Sequence, residues 1–288
     1  MTTKIEWCDE TVNPVVGCWP AGPGCEHCYA SRLASRGLTT THSLVAEGGK
    51  WNGRVVEQPK QLDRLMFLSN RSQPRRVFVG SMTDLGYAFL LGAFSVLRST
   101  WVAMKAAGKA GHTIIVLTKR PDQLGAWIRQ EMAQDGLDEP PQWLWVLVSV
   151  WDQESADTFI PHLMNVPAGI LGASCEPLLG QIDFRKTPIP HGWRSVNGFQ
   201  IEKGCLPRWQ RYPVRARLSK GLGWVVAGCE SGPGRRTARL SWFRKLRDQC
   251  ASAEVPFFLK QADIRGQLVK MPMLDGRKWS EIPEVDRV

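Results

Sequence analysis

Short apolar runs recur along the chain, each closed by polar residues and most followed by a stretch of helical periodicity. They are 12–17 (VNPVVG), 76–80 (RVFVG), 113–118 (TIIVLT), 143–150 (WLWVLVSV), 169–174 (GILGAS), 223–228 (GWVVAG) and 256–260 (PFFLK). Near-continuous apolar runs read as parallel strands buried on both faces, and the stretches between them are long enough for crossover helices. Helices are expected at 26–36, 87–107, 121–134 opened by Pro121, and 241–252 with Ser241 as N-cap. A doubly wound sheet shares this alternation. What favours a barrel is that nearly every run ends in a chemically active residue: Ser81 with Asp84, Thr118 with Lys119, Ser149 with Asp152, Ser174 with Glu176, Glu230 with Ser231, and Lys260 with Gln261. In a parallel barrel those ends converge on one rim. The expected fold is α/β, a partial (β/α) barrel forming a single domain over residues 1–288.

Two segments fall outside the repeat. From 180 to 221 the chain loses periodicity and collects prolines, glycines and arginines, as a long insertion does. The tail 266–288 alternates weakly around Asp275-Gly276, a favoured hairpin pair, and reads as a small cap.

Composition narrows the function classes. The 288 residues are 43% hydrophobic and 22% charged, which excludes a disordered or fibrous chain. The longest apolar run, Leu85 to Leu97, is broken by glycines and is too short to span a bilayer, and the first ten residues lack the apolar stretch of a secretory signal. A cytoplasmic protein with no membrane partner is expected.

The net charge is +10, which favours polyanionic partners. Most of that excess lies between Arg185 and Lys220, where nine Lys or Arg residues face the single acid Glu202. Trp193, Phe199, Trp209 and Tyr212 interleave with Arg208, Arg211 and Arg215, so one segment offers both phosphate neutralisation and base stacking. Arg235 and Arg236 in SGPGRR, together with Lys119-Arg120, offer similar phosphate chemistry. A solvated basic surface loop has the same composition.

Eight cysteines in such a chain are metal ligands, nucleophiles or small core residues before they are disulfides. Three of them, Cys18, Cys25 and Cys28, sit in GCWPAGPGCEHCYASRLA with C-x6-C-x2-C spacing, right after the first run. A Gly- and Pro-rich backbone turns sharply enough to aim three thiolates at one centre. Zinc would need a fourth ligand, for which Cys8 and His27 are nearest. A [4Fe-4S] cluster on three cysteines leaves one iron open to a ligand that is not protein.

The run IEWCDETVNPVVGCWPAGPGCEHCYASRLA, the segments FVGSMTDL, LTKRPDQL, SVWDQESAD, CEPLLGQID and AGCESGPGRR, and the closing FFLKQ with LDGRKW resemble the phage-associated three-cysteine-motif proteins, a radical-SAM-like family. The resemblance covers residues 5–283. It implies a barrel of radical SAM type and an enzyme in which the open iron of a [4Fe-4S] cluster binds S-adenosylmethionine. An external electron donor then drives formation of a 5′-deoxyadenosyl radical, which abstracts hydrogen from the substrate. This chain departs from the superfamily's C-x3-C-x2-C by three extra residues. By the same resemblance His27 falls where an aromatic lies beside the adenine. Gly80, Ser81, Thr83 and Asp84 fall where backbone binds the methionine amino group, and Ser149, Asp152 and Gln153 where ribose hydroxyls are held. Asp84 reads equally as a helix N-cap, and a helix cap is the alternative for Asp152, where the ribose role is favoured.

Glu176 and Glu230, in the parallel phrases ASCEP and AGCES, place carboxylates at strand ends where they need partners. With Lys260 they are the candidate catalytic residues. The expected function is a radical SAM enzyme that modifies or isomerises a nucleic-acid base, DNA favoured over RNA, with the base flipped out of the stack. The alternative is a non-catalytic nucleic-acid-binding protein whose cysteines hold structural zinc.

Overall fold

The computed structural model describes residues 3–37, 40–188, 221–232 and 234–284. At its centre is an eight-stranded sheet: β1 (Glu10–Val12), β2 (Arg76–Val79), β3 (Thr113–Thr118), β4 (Leu144–Ser149), β5 (Ile170–Cys175), β6 (Trp224–Gly228), β7 (Phe257–Ile264) and β8 (Gln267–Lys270). Spatial order follows chain order throughout. The first seven strands are parallel, and β8 turns back antiparallel on β7. A doubly wound sheet would reverse its order at an inner strand. Here the sequential order curls the sheet into a half-barrel, open between β1 and β8.

Eight α-helices are present among the described residues: α1 (Tyr29–Ala34), α2 (Thr40–Val45), α3 (Pro59–Phe67), α4 (Leu85–Leu90), α5 (Phe94–Lys109), α6 (Pro121–Gln134), α7 (Gln153–Leu163) and α8 (Leu240–Ser252). Successive strand side chains point to opposite faces, so each strand divides its residues between two cores. Val77, Val79, Ile114, Val116, Val146 and Val148 meet the helices, packing with Leu97, Trp101, Leu124, Ile128 and Ile160. Phe78, Ile115, Trp145, Leu147, Ile170, Trp224, Val226 and Phe258 line the concave face, and Trp7 and Cys8 pack onto them. Trp224 stands edge-on to both Trp7 and Trp145, at 6.0 and 5.8 Å between ring centroids. This aromatic layer fills the concavity towards the N-terminal ends of the strands and leaves the C-terminal ends to polar chemistry.

Several boundaries differ from the sequence expectation. The run 12–17 divides at Asn13-Pro14, because proline has no N–H for a ladder; Val15–Val16 pairs instead with Val56–Glu57. Residues 26–28 are not α-helical, and Cys28 is extended in ψ (120°) as the cap of α1. The single helix expected at 87–107 is two, α4 and α5, with a turn at Gly92 between them. Arg239 rather than Ser241 caps α8. In the C-terminal tail β8 joins the main sheet, and the hairpin is Met273–Leu274 with Arg277–Lys278. Asp275 and Gly276 both have positive φ, as a type I′ turn requires. Residues 189–220 of the expected insertion lie outside the described residues. No helix among the described residues is long and apolar enough to cross a membrane.

Candidate functional site

The cysteine loop follows β1 and the short strand Val15–Val16, at the end of the half-barrel where the parallel strands finish. It is pinned on every side. Gly17 bridges to Thr83, whose hydroxyl donates to the Gly17 carbonyl at 2.6 Å. Arg120, beyond the end of β3, donates to the carbonyls of Trp19 (2.7 Å) and Pro20 (3.5 Å) while its guanidinium lies 4.8 Å from the Tyr87 ring centroid. Arg236, after β6, donates to the Pro23 carbonyl and to Glu26, both at 2.9 Å. Arg32 of α1 donates to the carbonyls of His27 (3.1 Å) and Ser231 (2.7 Å). Beneath, Gly22 and Gly24 lie flat on the Trp151 indole, so close that an added Cβ would sit 2.8 and 2.4 Å from ring carbons.

Two buried carboxylates anchor these arginines. Asp84 caps α4 by accepting from Gly86 N (3.0 Å), and it also accepts from the Thr118 hydroxyl (2.8 Å), Lys119 N (2.9 Å) and Arg120 (3.4 Å). Glu230 accepts from His27 Nδ1 (3.0 Å), from Arg236 N (2.8 Å) and Nε (3.0 Å), and from a terminal guanidinium nitrogen of Arg236. Burial pushes the Glu230 carboxyl up, but the Arg236 hydrogen bonds and His27 outweigh it and hold it below the usual carboxylate range.

The thiols lie within this frame. Burial first, and the Asp84 carboxylate next, push the Cys18 thiol up to about 12, against the lowering field of Arg120; Cys25 and Cys28 also act on it. Cys18 donates weakly to the Trp19 carbonyl at 3.5 Å, and Ala21 N–H donates to Cys25 Sγ at 3.4 Å. Residues 2–283 match the model of a family described as "Protein of unknown function (DUF5131)". The chain belongs to this family. No curated protein and no solved structure matches it.

Around the loop, the residues nominated from sequence divide into groups. Gly80, Ser81 and Thr83 are next to the loop, but Ser81 is bonded to Asn13 Oδ1 at 3.0 Å and Thr83 to Gly17. Asp152 is the N-cap of α7 in a capping box with Ser155. Gln153 is tied to Asp157, Asp183 and Thr187. Glu176 and Lys260 meet as an ion pair at 3.0 Å, whereas Glu230 stands apart from them with Arg236 and His27. Among the residues nominated for nucleic acid, Arg120 and Arg236 are spent on the loop, and Arg235 on Asp263 (2.9 Å) and the Gly266 carbonyl. Lys119 gives its backbone N–H to Asp84. Trp193, Arg208, Trp209, Arg211 and Arg215 lie outside the described residues. Sequence reasoning missed Trp151, Arg32, Asn13 and Tyr29. The only signal for Trp151 was the Gly-x-Gly inside the loop, a spacing that asks for a close neighbour.

Among the described residues no three His, Cys, Asp or Glu side chains form a group able to hold a metal ion as they stand. A single zinc ion draws every donor to about 2.0–2.3 Å from one atom, whereas a cluster spreads its thiolates over separate irons. Neither candidate fourth zinc ligand joins the loop thiols. Cys8 is buried with Trp7 and Phe78, its thiol pushed up to about 12 by burial and Asp9, and His27 is paired with Glu230.

Proposed function

We propose that this protein is a radical SAM enzyme whose Cys18, Cys25 and Cys28 hold a [4Fe-4S] cluster, and that its substrate is a nucleic-acid base, in DNA rather than RNA. The observation that carries the reading is the mounting of the three-cysteine loop. It sits at the C-terminal end of a parallel half-barrel, where such folds place their chemistry, and Arg32, Arg120, Arg236 and Trp151 fix it from four different segments. The donor set suits the group in kind: three thiols on one loop, residues 18–28, with a backbone N–H already directed at Cys25 Sγ, the kind of contact that tunes a cluster. When bound with S-adenosylmethionine and reduced by an external donor, the group supplies a 5′-deoxyadenosyl radical able to take a hydrogen atom.

The chain's own residues do the rest. The aromatic layer of Trp7, Trp145 and Trp224 closes the concavity from below and keeps water from that side. Arg120 and Arg236 hold the loop backbone at fixed places on the rim. The nucleic-acid part of the reading is supported by the charge of Arg185–Lys220, nine bases against one acid.

The test is anaerobic preparation followed by metal analysis and incubation with S-adenosylmethionine and reductant. About four irons per chain and release of 5′-deoxyadenosine are expected. Cys18→Ala, Cys25→Ala or Cys28→Ala should each abolish both, and Cys8→Ala should spare them. One zinc per chain and no 5′-deoxyadenosine would overturn the reading in favour of a zinc-holding binding protein. Mass spectrometry of nucleosides from treated DNA and RNA then tests the substrate.

A further inference from the structure

The end of the sheet away from the cysteine loop carries a different chemistry. Glu10 opens β1 and Arg76 opens β2, and the two strands run side by side from there. Asp9 and Arg76 settle each other: the carboxylate accepts from the Arg76 backbone N–H (2.8 Å) and from its guanidinium (3.1 and 3.4 Å). Glu10 is 5% exposed, and three arginines converge on it from one stretch of chain, Arg64 on α3 and Arg71 and Arg75 on the loop between α3 and β2.

A buried carboxylate needs a partner, and a single two-pronged arginine supplies one. Here Glu10 accepts from Arg64 at Oε2 and from Arg75 at Oε1, both at 3.3 Å, while Arg71 stands 4.0 Å from the same Oε1. Neither Arg71 nor Arg75 engages the carboxylate with both prongs, and Arg71 donates no side-chain hydrogen bond among the described residues. Three cations against one acid are more charge than the burial of Glu10 requires. The contacting nitrogens of Arg71 and Arg75 share one oxygen as neighbour, at 4.0 and 3.3 Å, so they are at most 7.3 Å apart. One phosphate can bridge that span, its oxygens taking an N–H from either side at about 2.7–2.9 Å.

The loop is held in place by the protein itself. His112, 1% exposed and just ahead of β3, accepts from the Arg75 backbone N–H at Nδ1 (3.1 Å) and donates from Nε2 to the Leu68 carbonyl (2.7 Å). The Arg71 N–H donates to that same carbonyl, and the Arg75 carbonyl accepts from Thr113 N–H, both at 2.9 Å. Both arginines therefore extend from a fixed backbone. Beside them Phe67, the last residue of α3, is 57% exposed, with the Arg71 guanidinium 6.0 Å from its ring centroid. Cations on a fixed loop beside an open aromatic ring are the means by which proteins hold a nucleic-acid strand. Two forks able to close on one anion, unlike lysines spread over a plane, favour a strand over an anionic bilayer.

We propose that Arg64, Arg71 and Arg75, gathered by Glu10, form a phosphodiester-binding site for one strand of DNA, with Phe67 offering its ring to a base. This rests on the nucleic-acid half of the reading above and not on its iron. It gives the strand a second hold, at the opposite end of the parallel sheet from the cysteine loop. The four residues of β2, at about 3.3 Å each, separate the two ends by ~13 Å, roughly four nucleotide steps along one strand. The path between them follows β1, the edge at the open side of the half-barrel.

The test measures binding of a short fluorescein-labelled single-stranded DNA to the full-length, anaerobically prepared protein by anisotropy across a salt series. Each phosphate contact on a single strand contributes about 0.7 to the slope of log K against log salt, so Arg71→Ala should lower the slope by about 0.7 and Arg71→Ala with Arg75→Ala by about twice that. Arg71→Lys should keep the slope. Phe67→Ala should weaken binding about 5- to 150-fold, the loss of a base–aromatic stack, at an unchanged slope. Lys278→Ala removes the same charge from an exposed position on the C-terminal hairpin and should change neither. Arg71 is itself exposed, so the single variant should fold as the parent does, which thermal unfolding checks, and it decides the matter alone. A slope unmoved by Arg71→Ala, an equal fall from Lys278→Ala, an affinity unmoved by Phe67→Ala, or Arg71-dependent binding to phosphatidylserine vesicles in place of DNA would each overturn the site. DNA bound by the parent with a slope that Arg71→Ala leaves unmoved refutes the site alone. No DNA binding by the parent refutes the nucleic-acid reading and the site with it, and iron content of the same preparation reports on the enzyme reading separately.

Discussion

Gly24→Ala is the sharpest probe of how the cysteine loop is mounted. Gly24 has no unusual φ, so alanine is acceptable to the backbone and only the surroundings oppose it. The added Cβ would lie 2.4, 2.9 and 3.2 Å from three carbons of the Trp151 ring. Ordinary carbon contacts are about 3.5–4.0 Å, so ring and loop must separate by roughly 1 Å. The ring is poorly placed to yield, being 5% exposed and packed edge-on against Phe159 at 5.6 Å. The loop must therefore lift against the Arg120 and Arg236 contacts. Overpacking of this kind costs about 1–3 kcal/mol. Urea unfolding should show that loss, and amide hydrogen exchange should rise over residues 19–27 while the strands stay protected. Trp151→Leu in the same chain removes the obstacle, so the double variant should recover part of the loss relative to the sum of the singles. Gly24→Ala with unchanged stability and unchanged exchange would show that the loop does not rest on Trp151, and the account of its rigidity would fall.

Arg120→Ala should cost about 1.5–3 kcal/mol, as charge-assisted hydrogen bonds to the Trp19 carbonyl and Asp84 are lost, with faster exchange over residues 18–21 as the local signature. Asp152→Ala should cost only about 1 kcal/mol, the value of a helix cap, and leave iron content untouched. The Glu230 carboxyl titrates lower in the folded chain than its ordinary 4.5, so its stabilisation is complete above that value and fades as the pH falls through it towards the depressed value. Acid unfolding of Glu230→Gln should accordingly begin from a lower stability at neutral pH and show a shallower loss below pH 4.5 than the parent chain.

The elements most legible in the sequence are those whose burial comes from both sides. β3 and α6 fall where the pattern puts them, at 113–118 and 121–134. The strand is apolar without interruption because helices cover one face and aromatic rings the other, and Pro121 sets the helix start by having no N–H to leave unpaired. α7 is harder to read: Pro161 lies inside it and breaks the helical signature, while the capping box at Asp152 and Ser155 supplies the start that periodicity does not show. The split of α4 from α5 was hidden for the opposite reason, since the apolar run continues through the turn at Gly92.

The candidate site was legible in its residue types but not in its pairings. Sequence places Arg120, Arg235 and Arg236 at strand ends as free guanidiniums fit for phosphate, because a chain read in one dimension does not show the acceptor each will meet. Arg120 meets carbonyls about a hundred residues earlier, and Arg236 meets Pro23 and Glu26 more than two hundred earlier. A guanidinium's planar fork satisfies several carbonyls at once, and a Gly- and Pro-rich turn with no regular ladder has carbonyls to offer. The same logic explains why Glu176 and Glu230, alike in ASCEP and AGCES, part company in the fold. Glu230 is followed six residues on by Arg236, which folds back to saturate it. Glu176 is followed by no arginine until Arg185, which turns to Asp183 instead, so Glu176 is left with Lys260 and an unfilled oxygen. Two identical strand-end carboxylates thus become a four-bonded structural clamp and a sparsely partnered ion pair through the spacing of the next free arginine.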